Sequence, residues 1–346
     1  MELMKMKSKN IVFVKPNVAE LVEENIDFPK ENEVQVRLLV STISSGTERA
    51  NLMGSKTVGW NLPDAEAPVF PRRVGYSSSG IITKVGKNVT GFNEGDRVAL
   101  SWSTHSEFFN INIKNVHKLD DISFSDGAMA HIATFPLAAI RKCRLEVGES
   151  AVVMGMGILG MFAVQLLKVS GATPVIAVDP DAKKREKALE IGADYAFDPY
   201  LPDFAKNVKE VTNGGAKVGI EVTGIGAGLD GILDCMARFG RVALLGCTRS
   251  SDFTIDYYRK VHGPGITLVG AHTHARPACD SSSGWWTEND DFETVLKLTK
   301  FGRLKLSDLV EETHSPNSAY EVFTRLCNNN SFPIVQFDWS KINEKN

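Results

Sequence analysis

Ala151-Val152-Val153-Met154-Gly155-Met156-Gly157-Ile158-Leu159-Gly160 is an apolar run that ends in three glycines spaced G-x-G-x-x-G. A helical stretch follows, with Met161, Phe162, Val164, Leu166 and Leu167 as its apolar residues. A glycine triplet alone says little. Between a strand and a helix it describes a turn that cradles a dinucleotide. Gly155 permits the tight turn, Gly157 lets the backbone approach a pyrophosphate, and Gly160 lets helix and strand pack closely. The amides of Ile158 and Leu159 open the helix, where free N–H groups and the positive dipole end favour phosphate.

Working outward, the next strand, Val175–Val178, runs into Asp179, which lies 19 residues after Gly160. A carboxylate at about 20 residues' distance accepts hydrogen bonds from the adenosine ribose. It repels a 2′-phosphate by like charge, so NAD is expected rather than NADP. Lys183, Lys184 and Arg185 follow closely, and a solvated helix face accounts for them. In all, strands are expected at 151–154, 174–178, 218–222, 241–245 and 267–269. Helices are expected at 159–169, 181–191 and 226–239. Such alternation predicts a parallel sheet covered by helices. The first ~140 residues read differently. Val34, Val36, Leu38 and Val40 alternate with Gln35, Arg37 and Leu39, and short strands are expected at 10–14, 80–85, 97–100 and 107–111. A helix is expected over 125–142, broken at Pro136. Residues 289–346 return to helix and mixed segments. The fold class is therefore α/β, with a β-rich barrel-like or sandwich part.

Bulk properties agree. The chain has 346 residues, a net charge of −3 and 23% charged residues, with Lys and Arg scattered rather than banded. That excludes an electrostatic footprint for nucleic acid. No stretch approaches the ~20 apolar residues of a membrane span. The first ten residues carry lysines without an apolar core, so no secretory signal is expected. Five cysteines without a C-x-x-C suggest free thiols and a reducing, cytoplasmic setting.

The ordered series Gly75, Gly80, Val85-Gly86, Val89, Phe92 and Gly95-Asp96-Arg97-Val98, then the glycine turn, then Gly192-Ala193-Asp194, resembles the medium-chain dehydrogenase/reductase superfamily. The resemblance covers roughly residues 30–335. It implies a GroES-like β-barrel domain over 1–140, completed by 299–346, and a Rossmann domain over 141–298, with the active site in the cleft. It implies that Thr223, Gly224, Leu245 and Gly246 face the cofactor and that Gly270-Ala271-His272 passes the nicotinamide. It also implies a homodimer or homotetramer.

The departures from that pattern concern metal. Where zinc-dependent members have Cys-Gly-Thr/Ser-Asp, this chain has Ser45-Gly46-Thr47-Glu48, and where they have Gly-His-Glu it has Gly75-Tyr76-Ser77. The third ligand position aligns with His131, and the cysteine-rich structural zinc lobe is missing. Catalytic zinc takes three strong N, S or O⁻ ligands and keeps one open position. Ser45, Tyr76 and Ser77 do not supply that set, so no catalytic zinc is expected. A side chain must then handle the proton that accompanies hydride transfer. Tyr76 and His131 are the candidates, with Ser45 and Thr47 to bind the substrate oxygen or relay the proton. The expected function is NAD-linked interconversion of a small alcohol, of polyol or sugar type, and its carbonyl. A zinc-free quinone or enone reductase and a nucleotide-binding protein without catalysis are the alternatives.

Overall fold

The computed structural model describes residues 6–55, 58, 70–249, 251, 253–329 and 331–344. The chain divides into two compact units, Ala133–Val295 and, from two stretches of sequence, Met1–Ile132 with Leu296–Asn346. The boundary expected after residue 140 falls inside the helix Phe124–Lys142.

Ala133–Val295 is built on six parallel strands. Their order across the sheet is Tyr195–Phe197, Val175–Val178, Ala151–Met154, Ala216–Glu221, Met236–Leu244 and Thr267–Gly270. Counted along this unit, that is third, second, first, fourth, fifth, sixth, the doubly wound order of dinucleotide-binding sheets. Val152, Val153, Ile176, Ala177 and Val178 are fully buried. Strands covered on both faces read as continuous apolar runs, which made them visible in the sequence. The winding reverses between Ala151–Met154 and Ala216–Glu221, and ligands of such sheets bind at the carboxyl ends of the strands there.

Two expectations fail in detail. The helix expected over 226–239 stops at Asp234, and a strand begins at Met236. Met236 pairs with Ala216, and the register then slips so that Val218 meets Arg241. Phe239, at φ 63°, turns the chain within that slip. Pairing with the neighbouring strand overrides an apolar pattern that suits a helix. Pro136 does not break its helix, which runs unbroken from Phe124 to Lys142. A proline inside a helix removes one hydrogen bond and costs about 3 kcal/mol. Ala128, Met129, Ala130, Ile132, Ala133 and Ala139 are fully buried along it, and that packing holds the helix across the gap.

In the other unit, the strand Glu33–Thr42 organises a seven-stranded sheet. One edge pairs with Ser77–Val85; the other pairs with Phe108–Asn112 along its first half and with Val335–Asp338 near its end. Met6–Lys15 and Val18–Ile26 form an antiparallel ribbon, joined by Arg72–Arg73 in a second sheet. The apolar core includes Phe13, Leu38, Leu100, Phe323, Phe337 and Trp339. No helix among the described residues is long and apolar enough to cross a membrane.

The glycine turn sets a steric demand on the parallel sheet. A Cβ at residue 160 would lie 1.9 Å from the carbonyl oxygen of Gly155. Gly160→Ala is therefore expected to push the helix off the strand and destabilise the protein by roughly 1–3 kcal/mol. Chemical denaturation followed by circular dichroism measures this, and an unchanged midpoint contradicts the packing.

Candidate active site

In Ala133–Val295 the glycine turn adopts the conformation its residues were expected to serve. Gly155 has φ 101°, a region L-residues rarely enter, and its N–H donates to the carbonyl of Val178 at 2.7 Å. A Cβ at Gly155 would meet the methyl of Thr223 at 2.8 Å. At Gly157 a Cβ would meet nothing within 4 Å, so the space above that backbone is open. Gly157 is also the N-cap of the helix Ile158–Val169, and no side chain caps that end. The first-turn amides of Ile158, Leu159 and Gly160 are thus left for an anion.

Asp179 stands at the end of the second strand, 8% exposed. Its carboxylate accepts the Met156 N–H at 2.7 Å through Oδ2 and the Asp181 N–H at 2.9 Å through Oδ1. It therefore braces the glycine turn. Arg185 donates to the carbonyls of Asp179 and Pro180, each at 2.8 Å, and reaches Asp198 at 3.4 Å. Its guanidinium is engaged, whereas Lys183 lies exposed.

Thr223 and Gly224 follow the fourth strand in a turn organised by Glu221, a residue that motif reading passed over. The Glu221 carboxylate accepts the N–H groups of Thr223 at 2.8 Å and Gly224 at 3.1 Å, as well as the Thr223 hydroxyl. Burial pushes its pKa up, and these donors oppose the shift. Its main-chain carbonyl accepts the amides of Leu245 and Gly246 at 2.9 and 2.8 Å. Leu245 and Gly246, expected to face the cofactor, are thus tied by their amides to the end of the fourth strand. Gly270 ends the sixth strand, and its carbonyl accepts Lys142 Nζ at 3.3 Å. Burial lowers the pKa of His272, and the neighbouring His274, Arg249 and Lys142 lower it further.

The second constellation lies in the other unit. Tyr76 is gripped at both ends. Its carbonyl accepts the Trp102 N–H at 2.9 Å and His131 Nδ1–H at 2.7 Å. Its hydroxyl donates to Ser44 Oγ. Because Nδ1 of His131 faces a carbonyl it carries a proton, which makes Nε2 the basic nitrogen of the neutral ring. The three rings pack together, with Trp102 4.8 Å and Tyr76 5.7 Å from His131. Trp102 adopts φ 59°, an uncommon conformation for a bulky residue.

Tyr76 and His131 are thus brought together. The hydroxyl beside Tyr76 belongs to Ser44, however, while Ser45 and Thr47 are the first and third residues of the helix Ser45–Leu52. Ser77, Ser78 and Ser79 open a strand rather than a turn, and Ser77 donates to the Ala128 carbonyl at 2.7 Å.

Tyr76, Ser44 and His131 offer a phenol, a hydroxyl and one imidazole, where catalytic zinc takes three strong N, S or O⁻ ligands. Among the described residues, no three His, Cys, Asp or Glu side chains gather as a metal site requires. His105, a conceivable partner of His131 in such a site, spends Nε2 on Glu48 at 2.9 Å.

Comparison with known proteins agrees with this architecture. Residues 30–163 match the alcohol dehydrogenase GroES-like domain, and residues 159–283 match the zinc-binding dehydrogenase family. The chain is 28% identical to D-guloside 3-dehydrogenase of Escherichia coli over 322 residues, which cover 88% of this chain and 91% of that one. It is 31% identical to sorbitol dehydrogenase of Halalkalibacterium halodurans over 280 residues, 71% of this chain and 77% of that one. The structure of galactitol-1-phosphate dehydrogenase from Escherichia coli shares the fold, with a TM-score of 0.81 at 20% identity over 95% of this chain and 99% of that one. With a GroES-like domain and a dinucleotide-binding Rossmann domain, the chain belongs to the medium-chain dehydrogenase/reductase superfamily of alcohol dehydrogenase-like oxidoreductases.

Proposed function

We propose that this protein is an NAD(H)-dependent, zinc-independent dehydrogenase that interconverts a polyol- or sugar-like alcohol and its ketone or aldehyde. The hydrogen-bonded set Tyr76–Ser44–His131 carries this reading, because Tyr76 and His131 stand at positions that match metal ligands in zinc-dependent relatives and Ser44 adjoins the third, Ser45. Relatives named for D-guloside and sorbitol support the substrate class. Support for NAD comes from Asp179 at the end of the second strand and from the engagement of Arg185 with carbonyl groups and Asp198.

Bound to the glycine turn, the dinucleotide would supply the hydride acceptor or donor. The amides of Ile158 and Leu159 would hold its pyrophosphate, and Asp179 its ribose. Tyr76 carries the proton that leaves or joins the substrate oxygen. His131 orients Tyr76 through its carbonyl and is the second candidate for the proton. Ser44 takes the relay role first expected of Ser45 and Thr47. Assembly as a homodimer or homotetramer belongs to the same reading, since Thr267–Gly270 is an edge strand with Leu268 exposed.

Three measurements test this. A panel of sugars, polyols and small alcohols, assayed with NAD⁺ by absorbance, should reveal a substrate; Tyr76→Phe should then lower kcat by about 10²-fold or more, the scale of general acid–base catalysis. Full turnover in that variant would remove Tyr76 from the mechanism. Asp179→Ala should weaken NADH binding by about tenfold and NADPH binding less, read by tryptophan fluorescence. Equal losses would count against selection by charge. Metal analysis of active protein should find no stoichiometric zinc, and about one zinc per chain would overturn the metal-free assignment.

A further inference from the structure

We propose that His105 and Glu48 form a buried positioning pair that sets the hydroxyl of Tyr76 through Ser44; this rests on the reading of Tyr76 as proton carrier. The His105 side chain is fully buried and that of Glu48 is 2% exposed. Burying a carboxylate is costly unless it is paired and hydrogen-bonded. Here each oxygen has one donor: Oε2 meets His105 Nε2 at 2.9 Å, and Oε1 accepts the Ser44 N–H at 2.8 Å.

The direction of these bonds follows from the donor inventory. Trp339 Nε1–H can only donate, and it donates to Ser41 Oγ at 2.8 Å. The Glu48 carboxylate can only accept, so the neutral His105 ring carries its proton on Nε2. Nδ1 is then the acceptor of the Ser41 hydroxyl, 2.7 Å away. Phe337, with its ring centroid 5.5 Å from that of His105, packs against the imidazole.

An ordinary helix cap does not explain the arrangement. Ser44 is the N-cap of the helix Ser45–Leu52, yet its hydroxyl makes no capping bond. A serine there normally accepts from an amide of the first turn. Glu48 instead reaches back to the Ser44 N–H and holds the cap residue, and the Ser44 hydroxyl is turned to Tyr76. His105 also braces the segment that carries Tyr76. Its N–H donates to the carbonyl of Val74 at 2.8 Å, and a Cβ at Gly75 would touch the His105 backbone nitrogen at 2.9 Å. One residue thus supports both the backbone leading into Tyr76 and, through Glu48, the partner of its hydroxyl.

The test replaces the six tyrosines with 3-fluorotyrosine and assigns the residue 76 resonance by its loss in Tyr76→Phe. Glu48→Gln puts an amide N–H₂ or a neutral oxygen against His105 and should move that resonance, while the Kd for NADH stays within about twofold of the parent. Ser41→Ala, which removes the partner of His105 Nδ1 and of Trp339 Nε1–H but leaves Glu48 and Ser44 in place, should move it in the same direction and serves if Glu48→Gln does not fold. With the best substrate of the panel, Glu48→Gln should lower kcat about tenfold, and should lower it no further in the Tyr76→Phe background. An unmoved resonance in the folded variants overturns the proposal, as do losses that multiply in the double variant. Unchanged turnover in Tyr76→Phe overturns the proton-carrier reading, and a moved resonance would then leave Glu48 and His105 with a positioning role alone.

Discussion

The carbonyl oxygen of Gly155 occupies the space that a side chain at residue 160 would need. Close packing at this point fixes where the helix Ile158–Val169 starts relative to the first strand of its sheet. The uncapped N-terminus of that helix is the positive end of a dipole, and its position decides where an anion can be held. Three further contacts depend on the same turn. Thr223 packs against Gly155, Asp179 accepts the Met156 amide, and Glu221 holds the turn carrying Thr223. Two carboxylates from the flanking strands thus brace the glycine turn. Each is spent on backbone amides, which limits the repulsion it would otherwise present.

Strong buried polar groups recur in the other unit. The Tyr76 carbonyl takes two donors, and its hydroxyl meets a serine held by a buried glutamate. A buried donor or acceptor left without a partner costs about 1–3 kcal/mol. Such a set is stable when all its members are satisfied together, and it specifies a single geometry for that reason. The tight φ values at Gly75 and Trp102 fall on either side of it, where backbone and ring must approach closely.

Some of this was legible in the chain, and the division has a physical cause. Parallel strands buried on both faces leave an apolar signature, so Ala151–Met154 was read to the residue. The strand Val18–Ile26 went unread because Glu20, Glu23 and Glu24 give it a polar character, and its order comes from pairing with Met6–Lys15. At the candidate site, aligned motifs brought attention to Tyr76, His131 and Ser45, and the folded chain adds Ser44, whose hydroxyl meets that of Tyr76. Which of two adjacent serines faces a tyrosine lies below what a motif resolves, because cap geometry is tertiary. Glu48 and His105 are 57 residues apart and Glu221 belongs to no motif; only the folded chain joins each to its partners.

Tyr76 sits in a series of hydrogen bonds that ties three elements together. Ser77 donates to Ala128 on the helix that carries His131, His131 donates to Tyr76, and Tyr76 donates to Ser44. Replacing any one of them would strip a buried partner from its neighbour. The same coupling gives the tyrosine hydroxyl a fixed acceptor. A phenol held in one orientation by groups that are themselves held serves proton transfer better than a freely rotating one.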